Sequence, residues 1–382
     1  MLVGLYVFSD YGISWDEEIS RVDNGYVNYN FIMHGNSSPL LNGNEKYHGP
    51  AFEIFLVFAE KTFGFSDSRD IYLMRHLLTF LLFYSSVFCF YFLLKDSLKS
   101  RKFALLGCAF LVLSPRIFAE SFYNSKDIAF LSFYIISIYA MLNFNKKKTF
   151  ISALLFALAS AILIDVRVMG IIVPLFSIII FVVDQFWDFQ SRSILFKRVR
   201  HFIAFLILMI GFVILFWPVL WLGPIRHFNE AFSEMSHYHW SGNVLFMGNF
   251  ILAPDLPWYY IPVWMAISIP ILYWLFSIVG FGAFIIQAIK NPLQLFSKQK
   301  DALVLFTCFF APLLAVIVLK SVVYDSWRHL FFIYPGFVFI AIYGLDFIMR
   351  MISDKLYGRK ILYVAIFAGL VQILILMIRT HP

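Results

Sequence analysis

Long apolar segments, separated by short charged gaps, follow one another through most of the chain. A helix needs about 20 apolar residues to cross a bilayer, and several of these segments reach that length. The chain is 61% hydrophobic and 14% charged, whereas soluble domains average about 45–50% and about 25%. We therefore predict an all-α fold, a polytopic transmembrane helical bundle.

The apolar runs predict about eleven spans. They lie near residues 1–10, 71–94, 103–118, 128–144, 149–164, 168–184, 202–222, 258–284, 302–319, 329–349 and 361–378. The run at 1–10 is too short to cross alone, so the first helix is expected to be incomplete. No further soluble domain is evident, and residues 1–382 are predicted to form a single transmembrane domain.

The charged gaps between the predicted spans fall into two alternating kinds. Lys and Arg gather in the gaps after the even-numbered spans, at 95–102, 146–148, 192–200, 290–300 and 350–360. Cytoplasmic loops carry such an excess of basic residues, so these gaps are expected to be cytoplasmic. The gaps at 11–70, 119–127, 165–167, 223–257 and 320–328 are then expected to face outward.

The first outer loop, residues 11–70, is the longest and the most acidic. Ten of the 23 Asp and Glu residues lie between Asp10 and Asp70. Its apolar stretch 51–59 is too short to span, which predicts an amphipathic helix along the membrane interface. Asp16, Glu17 and Glu18 follow Trp15 near the start of the loop, and a Trp there favours a position at membrane depth.

Two kinds of charged side chain gather in the predicted outer loops. Carboxylates can act as a general base toward a hydroxyl group, and Arg and Lys can bind a phosphate and stabilise charge that develops on it. Together they favour group transfer from a phosphate leaving group anchored in lipid. The candidate catalytic residues are Asp16, Glu17 and Asp127, and the candidate phosphate- or donor-binding residues are Lys126, Arg167, Arg328, His329, Arg75 and His48.

The stretches WDE, SPRIFAESFYNSKD, DVRVMG and YDSWRHLFFIYPG resemble the GT-C superfamily of glycosyltransferases. They are similar to its dolichyl-phosphate-mannose-protein mannosyltransferase and aminoarabinose transferase group. The resemblance implies a membrane glycosyltransferase that moves a sugar from a polyprenyl-phosphate donor to a protein, lipid or glycan acceptor. It also implies inversion at the anomeric carbon, Asp16 as base, and an active site on the extracytoplasmic face of the cell (inner) membrane. The chain departs from the family in its incomplete first helix and in lacking the soluble domain of some members.

Each candidate also has a structural interpretation. Asp16 and Glu17 fit the acidic first turn of an interfacial helix. If they are functional, Glu17 would orient the base, and Glu18 is expected to be solvated. Asn124 fits the N-cap of a helix, with Asp127 as the acid three residues later. Lys126 can extend its ammonium to the membrane interface without any role in binding. Asp165 in the 165–167 loop fits an ion pair, and Arg328 beside Trp327 fits an aromatic belt.

Other classes of function are disfavoured or stay open. The net charge of +7 is explained by topology, so no nucleic-acid partner is predicted. The three cysteines show no metal or disulfide spacing, and the pair His237 and His239 has no third ligand nearby, so no cofactor or metal is predicted. A transporter or flippase of lipid-linked substrates is the main alternative. A polymerase or ligase of surface polysaccharide is the third hypothesis for the function.

Overall fold

The computed structural model describes residues 1–43, 45–187, 192–236, 240–352 and 356–381. Helices account for nearly all of this. In chain order they are α1 Leu2–Val7, α2 Trp15–Ile19, α3 Val27–His34, α4 Ser38–Asn42, α5 Ala51–Phe63, α6 Ser68–Leu98, α7 Arg101–Val112, α8 Pro115–Tyr123, α9 Asp127–Lys147, α10 Phe150–Val166, α11 Ile172–Trp187, α12 Arg192–Phe216, α13 Pro224–Ser236, α14 Tyr260–Ser268, α15 Ile271–Lys290, α16 Pro292–Lys298, α17 Lys300–Val318, α18 Tyr334–Met351 and α19 Leu356–Arg379. The predicted all-α, multi-pass membrane fold is confirmed.

Every predicted apolar run contains a helix, but the predicted number of spans is not confirmed. In the described part of the chain, eight helices are long and apolar enough to cross a bilayer. The bent pair α7 and α8, which turns by 66°, would make a ninth, whereas α10 is shorter. The predicted span 258–284 is two helices, because the chain is extended at Ile269 and Pro270 between α14 and α15. A proline disfavours helical geometry at the residue before it.

The chain forms two compact units, and the prediction of a single domain stays a prediction. The first unit comprises Met1–Ser86 and Ser121–Tyr238, and the second comprises Val87–Glu120 and His239–Pro382. In the first unit, α10 packs against α9 and α12. Its core joins the ends of α10 and α12 to α4 and α13 through a cluster of buried apolar residues: Leu40, Ala161, Ile164, Val168, Val213, Trp217, Val219, Leu220 and Ala231.

Helices fill the first predicted outer loop. A continuous helical segment runs from α2 to α3 through a π-helical stretch, Ser20–Tyr26. Widened turns of this kind are frequent at functional sites. The predicted helix at 51–59 is confirmed as the longer α5, which buries Phe52, Leu56 and Val57. Its position at the membrane interface stays a prediction.

In the second unit, α15 and α18 approach each other closely at two glycines. A methyl group on Gly280 would collide with the carbonyl oxygen of Ile340, and one on Gly344 would collide with that of Phe276. Small residues permit this spacing between membrane helices. The unit also contains an antiparallel hairpin of β1 Asn243–Phe246 and β2 Asn249–Leu252.

Candidate functional site

The start of α2 is fixed by Glu17. Its Oε2 accepts a hydrogen bond from the backbone N–H of Ser14 at 2.8 Å, as a capping residue does. Its Oε1 lies 3.0 Å from Nε2 of His76 on α6, and both side chains are buried. Glu17 therefore lies in the acidic first turn of a helix, as its structural interpretation expects, and it also caps that helix. Asp16 is half-buried beside it, whereas Glu18 is exposed, as expected.

A second buried pair joins α5 to α6. Nη2 of Arg75 donates to Oε2 of Glu53 at 2.5 Å, and both residues are almost fully buried. The hydroxyl of Ser125 donates to the other oxygen of Glu53. Because Ser125 precedes Lys126, this network fixes the second predicted outer loop against α5. Arg75 and His76 thus sit inside the protein, each bound to a glutamate.

Lys126 binds a carboxylate of the first loop. Its Nζ donates to Oε2 of Glu45 at 2.7 Å, and Nδ1 of His48 lies 3.1 Å from the same oxygen. The turn that carries Glu45 and His48 is held by Asn24 of the π-helical stretch, whose Nδ2 donates to the His48 carbonyl at 3.0 Å. Burial raises the pKa of Glu45, but His48, Lys126 and Arg167 outweigh it and lower that pKa below its ordinary value.

Asp127 and Arg167 form the neighbouring pair. Nη2 of Arg167 donates to Oδ1 of Asp127. The predicted cap is also present, because Asn124 accepts from the Asp127 N–H at 2.8 Å and donates to its Oδ2 at 3.0 Å. Both carboxylate oxygens of Asp127 are therefore engaged, and α9 begins at this residue.

Asp165 accepts a hydrogen bond from the backbone and does not form the predicted ion pair. Its Oδ1 accepts from the backbone N–H of Ala51 at 3.3 Å, at the first residue of α5. It forms no ion pair within the described residues, and Arg167 binds Asp127 instead. Gly49 packs so closely here that a methyl group would overlap the Asp165 carbonyl oxygen. The end of α10 therefore holds the start of α5 in place.

These contacts bring five charged or titratable residues of the first unit together, and a sixth, Asp16, acts on His48 through its charge. Burial, followed by the charge of Lys126, lowers the pKa of His48 to about 4, and Asp16 is near enough to oppose this shift. We call this set the anion cluster: Asp16, Glu45, His48, Lys126, Asp127 and Arg167. It can bind a phosphate through Lys126 and Arg167 and offers carboxylates as acceptors of a proton.

Arg328 and His329 lie in the second unit, next to an unusual turn. Asp325 and Ser326 have positive φ of 51° and 65°, which non-glycine residues rarely adopt. The turn is held by a hydrogen bond of 3.0 Å from the Ser326 N–H to the Tyr260 hydroxyl. Nη2 of Arg328 lies 3.1 Å from Oδ2 of Asp325, which is 60% exposed. The predicted proximity of Arg328 to Asp16 stays a prediction.

The aromatic ring of Tyr324 packs on both candidate residues of this turn. The guanidinium of Arg328 lies 5.6 Å from the ring centroid of Tyr324. The ring of His329 meets Tyr324 edge-on at 4.6 Å, and Trp240 stacks on Tyr324 at 4.3 Å. Cations over an aromatic face are stabilised by the ring's charge distribution. The aromatic contacts therefore fix the direction of Arg328.

Sequence reasoning missed Glu45, Glu53 and Asn24 as members or supports of the site. No spacing rule links Glu45 to Lys126, which lie far apart in the chain, and only the fold brings them together. Among the described residues, no group of three or more His, Cys, Asp or Glu is arranged to hold a metal ion. His237 and His239 lie outside the described residues.

The fold is similar to that of ArnT from Cupriavidus metallidurans. The crystal structure of ArnT from Cupriavidus metallidurans bound to undecaprenyl phosphate aligns with a TM-score of 0.51 and 15% sequence identity. Its apo structure aligns with a TM-score of 0.50, also at 15% identity. In each case the alignment covers 96% of this chain and 62% of the ArnT chain. No curated protein sequence matches the chain.

The sequence profile of a known family matches within this fold. The match covers residues 28–229, more than half of the chain, and includes His48, Lys126, Asp127 and Arg167 of the anion cluster. The GT-C resemblance of the sequence is thereby confirmed. The chain belongs to the dolichyl-phosphate-mannose-protein mannosyltransferase family.

Proposed function

We propose that the protein transfers a sugar from a polyprenyl-phosphate donor to a hydroxyl-bearing acceptor on the extracytoplasmic face of the membrane. Family membership and a fold shared with an ArnT that was solved with undecaprenyl phosphate support a lipid-phosphate donor. The observation that carries the proposal is the anion cluster itself, in which Lys126 and Arg167 lie among carboxylates and the His48 ring.

The proposed reaction is a direct displacement at the anomeric carbon. The base takes the proton of the acceptor hydroxyl, and the acceptor oxygen bonds to that carbon. The bond from the anomeric carbon to the phosphate oxygen breaks, and its electron pair stays on the phosphate. Lys126 and Arg167, with Arg328 as a further candidate, stabilise the charge that develops there. A single displacement of this kind inverts the anomeric centre.

Asp16 is the preferred base within the cluster. It is half-buried and follows Trp15, which is 88% exposed and is suited to the membrane interface. Its charge acts on His48 of the cluster. Asp127 and Glu17 also fix the starts of α9 and α2, which gives both of them a structural role.

The proposal is tested with purified protein and a panel of polyprenyl-phosphate sugars, with acceptor-dependent release of polyprenyl phosphate as the readout. Lys126→Gln removes one charge from the phosphate site and is expected to raise the donor KM by about tenfold or more, because a charged hydrogen bond contributes about 1.5–3 kcal/mol. Lys61→Gln, at an exposed position of α5, is the matched control. Movement of labelled lipid in proteoliposomes without any glycosidic product would instead identify a flippase.

A further inference from the structure

The cations proposed to bind the donor phosphate already hold carboxylates. Lys126 binds Glu45 at 2.7 Å, which is the distance of a charge-assisted hydrogen bond between an ammonium and an anionic oxygen. A phosphate oxygen would occupy the same place with the same geometry. Glu45 therefore sits where an oxygen of the lipid phosphate is expected to bind.

The charges of the anion cluster favour the displacement of one carboxylate when a phosphate binds. Lys126 and Arg167 supply two positive charges, Glu45 and Asp127 pair with them, and Asp16 adds a further negative charge to the cluster. His48 adds no charge near neutral pH, because its pKa is lowered to about 4 by burial first and then by Lys126. A phosphodiester that joins the cluster adds a negative charge, and like charges at this distance repel. Binding is favourable only when a carboxylate leaves.

Of the two paired carboxylates, Glu45 is held by fewer contacts and can move away from its cation. Asp127 is the first residue of α9 and is held by both Arg167 and Asn124. Glu45 lies instead on a turn between α4 and α5, where the His48 N–H donates to its carbonyl at 2.9 Å. Within the described part of the chain, its carboxylate contacts only Lys126 and His48.

Its partial exposure makes the exchange feasible. The side chain of Glu45 is 15% exposed and that of Lys126 is 22% exposed, so water reaches both partners. A pair of this kind is worth far less than a fully buried one, because solvent screens the attraction. The pair Glu53 and Arg75, at 4% and 1% exposure, is by contrast fixed within the protein.

We propose that Glu45 is an internal counter-anion that the donor phosphate displaces from Lys126 and that returns to Lys126 when polyprenyl phosphate leaves. The inference rests on the proposed function of the cluster. After transfer the lipid product is a phosphate monoester, which carries about −1.5 to −2 charges at neutral pH. Without a competing carboxylate, such a product would remain on the two cations. Glu45 thus lowers the affinity for lipid phosphate and speeds release of the product.

The test measures the binding of farnesyl phosphate, a short soluble analogue of the product, to the purified full-length protein. Glu45→Gln keeps the size of the side chain and removes its charge, and it is expected to tighten binding by about two- to fivefold. It should also slow turnover at saturating donor. Glu18→Gln, which removes an exposed acid of the same loop, is the control and should bind as wild type does.

A double variant shows whether the effect acts through Lys126. In a Lys126→Gln background, Glu45→Gln should no longer tighten binding, because the cation for which Glu45 competes is gone. Glu45→Asp, which keeps the charge on a shorter side chain, should bind with intermediate affinity and serves if Glu45→Gln folds poorly. If wild type binds farnesyl phosphate and both Glu45 variants bind it equally well or more weakly, the inference about Glu45 is overturned but the proposed function is not. No binding of farnesyl phosphate by wild type or variants overturns the proposed function as well.

Discussion

His48 lies in the anion cluster but does not carry a positive charge there at neutral pH. Burial and the neighbouring Lys126 lower its pKa to about 4. A neutral imidazole can still donate or accept a hydrogen bond. The proposed electrostatic contribution to phosphate binding in the first unit therefore comes from Lys126 and Arg167, and His48 contributes at most a neutral contact.

The same pKa makes stability depend on pH. The pKa of His48 is lowered from 6.5 to about 4 on folding, so between these values the unfolded chain binds a proton that the folded chain does not. The contribution of His48 to the free energy of unfolding is fully present above pH 6.5 and is lost as the pH falls toward 4. We expect the unfolding temperature in detergent to fall between pH 7.5 and pH 5, because this group alone removes about 2 kcal/mol of stability over that range.

His48→Gln is the matched variant for this dependence, because glutamine keeps a polar side chain and does not titrate. It should flatten the pH dependence of the unfolding temperature between pH 7.5 and pH 5. A variant with the same slope as the wild type would show that His48 is not the group that takes up the proton.

Sequence reasoning identified residues of the anion cluster but not their partners. The charged residues near 16, 48, 126 and 167 are visible because charges are costly at membrane depth. The pairing of Arg167 with Asp127, rather than with its near neighbour Asp165, depends on where α9 and α10 meet. Glu45 carries no local signal at all. Partners that lie far apart in sequence are determined by tertiary packing.

At the scale of elements, a strained turn supports the position of Arg328. Two consecutive non-glycine residues with positive φ, Asp325 and Ser326, cost roughly 1–3 kcal/mol each. The hydroxyl of Tyr260 accepts the Ser326 N–H, and Nε1 of the buried Trp327 donates to Oγ of Ser268 at 2.6 Å. Strain of this kind is often retained where a side chain must be aimed, which agrees with the proposed role of Arg328.

The contact between α15 and α18 gives a prediction about packing. Gly280→Ala places a methyl group against the carbonyl of Ile340 and should destabilise the protein by about 1–3 kcal/mol. Gly282→Ala, on the same helix, meets no atom within 4 Å and should be neutral or slightly stabilising, since alanine favours helix. Thermal unfolding of both variants checks this pair. Equal effects of the two substitutions would contradict the close approach of the helices.

Helix existence was predictable along the chain, but the helix boundaries near prolines were not. The apolar runs at 258–284 and 103–118 each look continuous in hydropathy. Pro270 separates α14 from α15, and Pro115 begins α8 after a bend of 66°. Hydropathy measures transfer into lipid and does not record backbone geometry. The number of spans was therefore less predictable than the fold class.

At the scale of the whole molecule, the family match and the proposed site overlap only in part. Residues 28–229 match the family, and this range contains Lys126, Asp127 and Arg167 but neither Asp16 nor Arg328. The family match supports a lipid-phosphate donor but assigns no role to any single residue. Asp16 is proposed as base from its half-buried position after Trp15 and its charge near His48. The role of Asp16 is the central claim that needs a direct test.

The most direct measurement is the rate of polyprenyl phosphate release by Asp16→Asn at saturating donor and acceptor. Loss of a general base is expected to lower kcat by about 10²–10⁴-fold, while the affinity for farnesyl phosphate should not fall, because both cations remain. Asp23→Asn, at an exposed position of the same helical segment, is the control and should retain wild-type turnover. An Asp16→Asn variant that releases polyprenyl phosphate at the wild-type rate would contradict the account.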